Sequence, residues 1–206
     1  MGCNIAIDGP AGAGKSTIAK KVAKELSFIY VDTGAMYRAM AFYLLKKGIS
    51  GDENISKACH DADISIRYEN GEQQVILNGK NVTAFLRKEE VGNMASVSSA
   101  NPEVRAHLLK LQRNLAAENN VVMDGRDIGT TILPNAEVKI FLTASAKTRA
   151  NRRYLELTEK GEACDMDEIL KDIIDRDERD MSRAVSPLKQ AEDAVRVDTS
   201  QMNIDE

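Results

Sequence analysis

The residues best equipped for chemistry lie near the N-terminus, in Gly9-Pro10-Ala11-Gly12-Ala13-Gly14-Lys15-Ser16. Their spacing is that of G-x-x-x-x-G-K-[ST], a loop that cradles nucleotide phosphates. Glycines let the backbone curl round an anion without Cβ clashes. Successive N–H groups and the positive end of the following helix then face that anion. Lys15 adds a full charge near the β and γ phosphates, and the Ser16 hydroxyl is placed to ligate Mg²⁺. A glycine-rich turn without function is the alternative. The flanks argue against it: an apolar, β-branched run over Asn4–Asp8 precedes the loop, and a helical stripe of Ile18, Ala19, Val22, Ala23 and Leu26 follows.

A second informative stretch is Val121-Val122-Met123-Asp124-Gly125-Arg126-Asp127. An apolar strand ends there in an acid. Such an acid beside a phosphate loop commonly serves the Mg²⁺ shell, which makes Asp124 a candidate metal ligand together with Ser16. Arg126 and Asp127 add opposite charges at the same strand end, unless the segment is only a solvated turn. Ligands of open parallel sheets bind beyond the carboxyl ends of strands. Thr33, Tyr37 and Arg38 stand just past another such end, after the strand Phe28–Val31. Tyr37 reads equally well as a core aromatic, whereas Arg38 suits an anion. Arg149, Arg152 and Arg153 fall at i, i+3 and i+4 and so share one helix face. Either an anion meets them, or Glu156 and Glu159 make this an ordinary solvated face.

Alternating strands and helices must position these groups. A helix runs from about Ala35 to a stop at Gly48, and residues 51–62 are polar with a short helix. Ile64, Ile66 and Tyr68 then alternate with polar neighbours, and Asn70-Gly71 and Asn78-Gly79 mark turns on either side of Gln73–Leu77. This predicts a small antiparallel meander over Ile64–Leu86. It interrupts the β/α alternation, so it reads as an insertion, either a moving flap or decoration. Helices are expected over Lys88–Ser99 and Pro102–Glu118, the latter capped by Asn101 and buried through Val104, Leu108, Leu111 and Leu115. His107 has no ligand partner nearby and reads as structural. A strand over Val138–Leu142, a helix capped by Ser145, a long helix Met166–Met181 opened by Asp165 and Glu168, and a last strand Val195–Val197 complete the chain. The predicted class is α/β with a parallel core sheet flanked by helices.

Composition narrows the function classes. At 206 residues the chain suits one domain with room for an inserted subdomain. Hydrophobic residues make up 43% and charged residues 29%, as in ordinary globular proteins. A net charge of −4 and the lack of Trp speak against a nucleic-acid or anionic-membrane surface. No apolar run approaches a membrane span. The sequence is expected to enter a strand directly, without a signal peptide, and three scattered cysteines (Cys3, Cys59, Cys164) suit neither a disulfide framework nor a metal site. The expected location is therefore the cytoplasm.

The motifs together resemble the bacterial cytidylate kinases of the nucleoside monophosphate kinase superfamily. The matching stretches are Ile7–Thr17, Val31–Ala39, Val91–Ser96, Met123–Thr130, Val138–Ser145 and Arg176–Leu188. With the β insert they span nearly the whole chain. The resemblance implies a P-loop nucleoside monophosphate kinase fold in a single domain, 1–206. Its core would be about 1–62 and 97–206, its monophosphate-binding β insert about 63–96, and its short lid about 147–165. It implies ATP-dependent phosphorylation of CMP and dCMP with Mg²⁺, by a monomer that binds neither nucleic acid nor membrane. Gly9, Gly12, Ala13, Gly14, Lys15, Ser16 and Thr17 would hold ATP, with lid charge from Arg149, Arg152 and Arg153. Thr33, Arg38, Arg126, Arg176, Asp180 and Arg183 would hold the monophosphate and its sugar, and Tyr37 would line the same pocket. Ser96, Arg105 and Asp127 would face the cytosine. The resemblance further implies catalytic roles for Lys15, Asp124, Arg126, Arg152, Arg153 and Arg176. Position 16 is Ser where some members have Gly, which still fits the general motif. Members usually continue into a C-terminal helix beyond the point reached at Glu206, so the sequence is expected to stop short of that helix.

Chemically, phosphoryl transfer needs aligned phosphates, exclusion of water and neutralised charge rather than covalent help. Three alternatives are kept. Another small-molecule P-loop kinase, such as a uridylate or shikimate kinase, would differ in its base pocket. A regulatory NTPase switch would hydrolyse without an acceptor, and a GTP-reading N-K-x-D motif is lacking. A non-catalytic module would bind ATP and never turn over.

Overall fold

A computed structural model describes residues 2–206. β1 (Asn4–Asp8) runs into the glycine loop, and α1 (Lys15–Leu26) leaves it. β2 (Ile29–Asp32) feeds α2 (Thr33–Lys47), followed by α3 (Asp52–Ala58). The insert comprises β3 (Ile64–Glu69), β4 (Glu72–Leu77) and the short β5 (Lys80–Asn81). Then come α4 (Glu89–Ser98), α5 (Pro102–Glu118) and β6 (Val121–Gly125). A π-helical turn at Ile128–Ile132 precedes β7 (Val138–Thr143), α6 (Ala146–Glu159), α7 (Met166–Ser182) and β8 (Val195–Asp198).

The core sheet is parallel throughout, in the order β2-β6-β1-β7-β8. Its central strands are apolar on both faces because helices cover both. Ala6, Val31 and Met123 pack with Met36, Met40, Leu44, Val104 and Leu108 on one side, while Ile5, Ile7 and Val122 meet Ala19 and Ala23 of α1 on the other. β1 lies between β6 and β7, so the loop after it opens at the middle of the sheet's carboxyl edge.

The expected caps form. Asn101 accepts from the Glu103 and Val104 N–H groups, and Ser145 from that of Thr148. Asp165 accepts from both Asp167 and Glu168. α1 begins at Lys15, three residues before its apolar stripe opens at Ile18, and α2 at Thr33, two before the expected start at Ala35. Gly14 opens α1 without any side-chain cap, and the Asp32 carboxylate caps α2 through the Ala35 N–H at 2.9 Å.

The insert is the antiparallel meander read from its turns. Asn70 and Gly71 have φ of 53° and 78°, and Asn78 and Gly79 of 47° and 76°, the paired positive values of two-residue hairpin turns. It docks on the free edge of β2. The Gln73 side chain accepts from the Asp32 N–H at 2.8 Å and donates to the Asp32 carbonyl at 3.1 Å, and the Tyr68 hydroxyl donates to the Tyr30 carbonyl at 3.1 Å. An exposed strand edge is thereby paired by side chains instead of another strand.

Candidate active site

The phosphate loop is held tightly from below. A Cβ on Gly9 would fall 1.9 Å from the Leu142 carbonyl oxygen, so only glycine lets β1 pass β7 at this point. Ala13 is buried. Because Gly14 offers no capping side chain, the first-turn N–H groups of α1 point outward for an anion.

Lys15 is buried at the loop's centre, its ammonium donating to the Pro10 carbonyl at 2.8 Å. Burial, reinforced by Arg126, pulls it down to about 7. Asp124 at the tip of β6 is buried too, and burial with the nearby Asp32 pushes it up to about 6. One of its oxygens accepts from the Tyr30 hydroxyl at 2.8 Å, the other from the Ser16 hydroxyl at 3.1 Å. Thr33 donates its hydroxyl to the Asp124 carbonyl at 2.8 Å. Two cis oxygen ligands of an octahedral Mg²⁺, each at 2.0–2.1 Å, lie about 3 Å apart. The Ser16–Asp124 pair therefore fits one edge of that octahedron. Among the described residues no group of three His, Cys, Asp or Glu could hold a metal, which agrees with an ion that takes one carboxylate and completes its shell with phosphate and water.

Beside this lies a second concentration of charge. Arg126 Nε donates to Asp180 at 2.9 Å. Burial pushes Asp180 up, but Arg126, with Arg183 and Arg176 behind it, outweighs burial and holds the carboxyl below its ordinary value. Arg176 donates to the Gly92 carbonyl of α4 at 3.2 Å, and burial followed by Arg126 lowers its guanidinium. Arg183 has a side chain only 6% exposed, with Asp180 3.9 Å away, yet its Nε and Nη2 have no hydrogen-bond partner. Buried donors without partners are rare and point to a missing acceptor. Arg38 is half-buried in the first turns of α2, and its charge further lowers the Arg176 guanidinium.

Next to this cluster is the Arg105–Asp127 ion pair, both residues buried. Arg105 also donates to the Ser99 carbonyl at 3.3 Å and lies over the Tyr37 ring, 5.5 Å from its centroid. Tyr37 is thus a pocket wall, and burial raises its phenol. Ser96 meets Arg179 at 3.4 Å, across from α7.

For the α6 arginines the sequence leaves open a shared anion or a solvated face, and here each is held by a partner of its own. Arg149 is buried and bidentate to Asp177 at 3.0 and 2.6 Å, and it also donates to the carbonyls of Ala144 at 2.8 Å and Ala11 at 3.1 Å. Arg152 donates to the Thr199 carbonyl at 2.7 Å, and Arg153 to Glu156 at 3.0 Å on the surface. One face of α6 carries all three, but long side chains reach different neighbours, and the protein supplies their partners itself, a carboxylate for Arg149 and Arg153 and a carbonyl for Arg152. His107 is structural as read, touching the Ala62 carbonyl at 2.8 Å.

Three site residues escaped sequence reasoning. Asp8 accepts two backbone N–H groups of the loop after Asp127. Tyr30 holds Asp124. Gln112 of α5 is fully buried near Tyr37 with neither amide atom partnered. Asp8 alone had a signal, as an acid ending an otherwise apolar strand.

A phosphate loop and a neighbouring cluster of buried arginines suit a kinase with two anionic substrates, and comparison with known proteins identifies which. Residues 5–206 match the sequence profile of cytidylate kinase. The chain belongs to the cytidylate kinase family. A cytidylate kinase of Listeria monocytogenes serotype 4a (strain HCC23) is 52% identical over 203 residues, covering 98% of this chain and 91% of its own length. That of Shouchella clausii (strain KSM-K16) is 49% identical over 207 residues, with 100% and 92% covered. That of Carboxydothermus hydrogenoformans is 50% identical over 204 residues, with 98% and 92% covered. Membership in the cytidylate kinase family spans both halves of the site, from the phosphate loop to the α7 arginines. Among the described residues no helix is long and apolar enough to cross a membrane.

Proposed function

We infer that this chain moves the γ-phosphoryl group of ATP to CMP or dCMP, giving ADP and CDP or dCDP. The observation that carries this reading is the buried Arg183 guanidinium near the phosphate loop, two of whose nitrogens have no hydrogen-bond partner. An NTPase switch or a simple nucleotide-binding module has no use for a second set of buried arginines beside its phosphate loop.

In this reading Gly9, Gly12–Thr17 and the α1 N-terminus hold the ATP phosphates, and Lys15 neutralises charge on the transferred group. Its partial desolvation costs stability in the free protein and is relieved when phosphate arrives. Ser16 and Asp124 would hold Mg²⁺, which would neutralise phosphate charge. Arg38, Arg126, Arg176 and Arg183 bind the acceptor phosphate, with Thr33 and Asp180 on its sugar side. Tyr37, Arg105, Asp127 and Ser96 face the base. A carboxylate at Asp127 accepts from the cytosine amino group and repels the uracil oxygen at the same place. Arg149 supports the phosphate loop from behind. Arg152 and Arg153 reach ATP only by leaving the partners they hold here. We read the chain as one catalytic domain, acting as a cytoplasmic monomer, in which residues 63–96 form the acceptor-side insert.

The test is a coupled ADP-release assay with ATP, Mg²⁺ and a panel of monophosphates. CMP and dCMP should be used well and UMP poorly. ADP release independent of any acceptor, or a preference for another acceptor class, overturns the reading.

A further inference from the structure

Asp8 is the last residue of β1 and directly precedes Gly9, the first glycine of the phosphate loop. Strand register sets it between Gly125 of β6 and Phe141 of β7. Its carboxylate therefore stands where the segment after β6 turns back over the sheet. Both oxygens are used: Oδ1 accepts the Ile128 N–H at 2.7 Å and Oδ2 the Gly129 N–H at 2.7 Å. Those are the two residues immediately after Asp127. The Asp127 carbonyl in turn accepts from the N–H groups of Thr131 at 2.9 Å and Ile132 at 3.2 Å. Asp127 is thus fixed through its own carbonyl and through the next two amides, while its side chain is left facing Arg105.

Gly129 is fitted to this contact. A Cβ there would lie 3.4 Å from Asp8 Oδ2 and 3.1 Å from Lys139 Cδ. A buried carboxylate is costly unless hydrogen-bonded. Burial pushes Asp8 up to about 6, and the two N–H bonds keep it from rising further, so it is mainly ionised at neutral pH with both oxygens free to accept. The loop after Asp127 needs two acceptors, which no apolar residue supplies, and the carboxylate also offsets part of the buried Lys15 charge.

We propose that Asp8 is a positioning residue for recognition of the acceptor base, holding Ile128 and Gly129 so that the Asp127 carboxylate meets the cytosine amino group. The proposal rests on the reading of Asp127 as the base-facing acid. It also makes one side chain the physical tie between the phosphate loop and the base pocket.

The experiment measures kcat/KM for CMP and UMP in Asp8→Asn, Gly129→Ala, Asp127→Ala and the Asp8→Asn/Asp127→Ala double variant. An amide at position 8 offers one acceptor and sets an NH₂ against the second N–H. The CMP-to-UMP ratio should fall about tenfold in Asp8→Asn, with KM for CMP rising more than KM for ATP. Once Asp127 is gone, Asp8→Asn should change the ratio by less than about twofold, because both act through one group. Gly129→Ala leaves the carboxylate intact and displaces the loop, so it should lower the ratio in the same direction, and it carries the test if Asp8→Asn does not fold. Loss of the ratio in Asp127→Ala with retention in both Asp8→Asn and Gly129→Ala overturns the role of Asp8 and leaves Asp127 as base reader. Retention in Asp127→Ala overturns both. An undiminished effect of Asp8→Asn in the double variant also overturns the proposal, since a general loss of structure would act independently of Asp127.

Discussion

Two groups of arginines in this molecule look alike in sequence and differ in structure. On α6, Arg149, Arg152 and Arg153 are each engaged by the protein: Asp177 and two carbonyls, the Thr199 carbonyl, and Glu156. Around the end of α7, Arg126, Arg176 and Arg183 crowd about a single carboxylate, Asp180, and Arg183 keeps two buried nitrogens unpaired. A satisfied guanidinium stabilises the fold it joins. An under-satisfied buried one costs stability until an anion arrives, so it marks a binding site. Spacing along a helix cannot separate the two cases, because it records which side chains share a face and not what lies opposite. The contrast extends to the phosphate loop, where Lys15 is buried and lowered toward neutrality, a strained cation of the second kind.

That contrast predicts opposite responses to mutation, the largest at Lys15. Lys15→Ala removes a charge directed at the transferred group. It should lower kcat/KM on the order of a thousandfold, about 4 kcal/mol, while the thermal midpoint stays level or rises. A folded variant with near-normal turnover would remove Lys15 from the catalytic reading. Arg149→Ala should do the reverse. It leaves Asp177 and the Ala11 and Ala144 carbonyls without their donor, so stability should fall by about 3 kcal/mol in urea unfolding. If stability holds and only ATP use suffers, Arg149 belongs with the ligand-seeking group after all.

Next in size are Arg126→Ala and Arg183→Ala. Each removes a charge-assisted bond to the acceptor, worth about 1.5–3 kcal/mol in kcat/KM for CMP. ATP affinity, read by titration with a non-hydrolysable analogue, should change far less. Arg183→Ala should cost little stability, because the guanidinium is poorly paired in the free protein. A fall in ATP affinity instead of CMP use would move these side chains to the other nucleotide.

How far such a contrast can be read from sequence depends on how local each feature is. The phosphate loop, the Asn-Gly turns of the insert and the caps at Asn101, Ser145 and Asp165 are spelled out within a few residues, and all form. Asp124 was legible because an acid at a strand tip is a local pattern. The pairing of Arg105 with Asp127, which we propose to face the base, is suggested by family resemblance and not by spacing, since α5 and the β6 loop meet only in three dimensions. The link between Asp8 and Ile128 spans 120 residues and depends on β1 lying beside β6. Tyr30 reaches Asp124 diagonally across the β2–β6 pair, whose register sets Tyr30 beside Val122 and Asp32 beside Asp124. The partners of Arg149 lie in two other segments, which is why its face read as open.

A smaller effect follows from the buried carboxyl at Asp8. Its folded value of about 6 lies above the ordinary 3.8, so the folded chain binds this proton more tightly than the unfolded chain does. Its cost is complete above about pH 6 and is relieved as pH falls toward 3.8. Asn at this position does not titrate. Lowering pH from 7.5 to 5 should therefore shift the stability difference between wild type and Asp8→Asn by about 1 kcal/mol in favour of wild type. A difference that stays constant between the two pH values would mean that Asp8 does not titrate there.

The smallest effect is expected at Arg153, where the comparison is sharpest. Its side chain is 47% exposed and pairs at i, i+3 with Glu156, which also meets Lys160 at 2.5 Å. Exposed pairs of this kind contribute little, because solvent screens them and both side chains lose rotamer freedom. Lys160 remains to hold Glu156 once the arginine is gone. Arg153→Ala should thus change stability by less than about 0.5 kcal/mol. Geometry sets its guanidinium on the surface with a partner of its own, so kcat/KM should stay within about threefold of wild type, or 0.65 kcal/mol. The family resemblance implies more, a lid charge brought over ATP on closure. A drop of tenfold or more in kcat/KM for ATP at unchanged stability would show that closure pulls Arg153 from Glu156 to the phosphates. It would then join the ligand-seeking arginines, with only Arg149 and Arg152 left as supports of the fold.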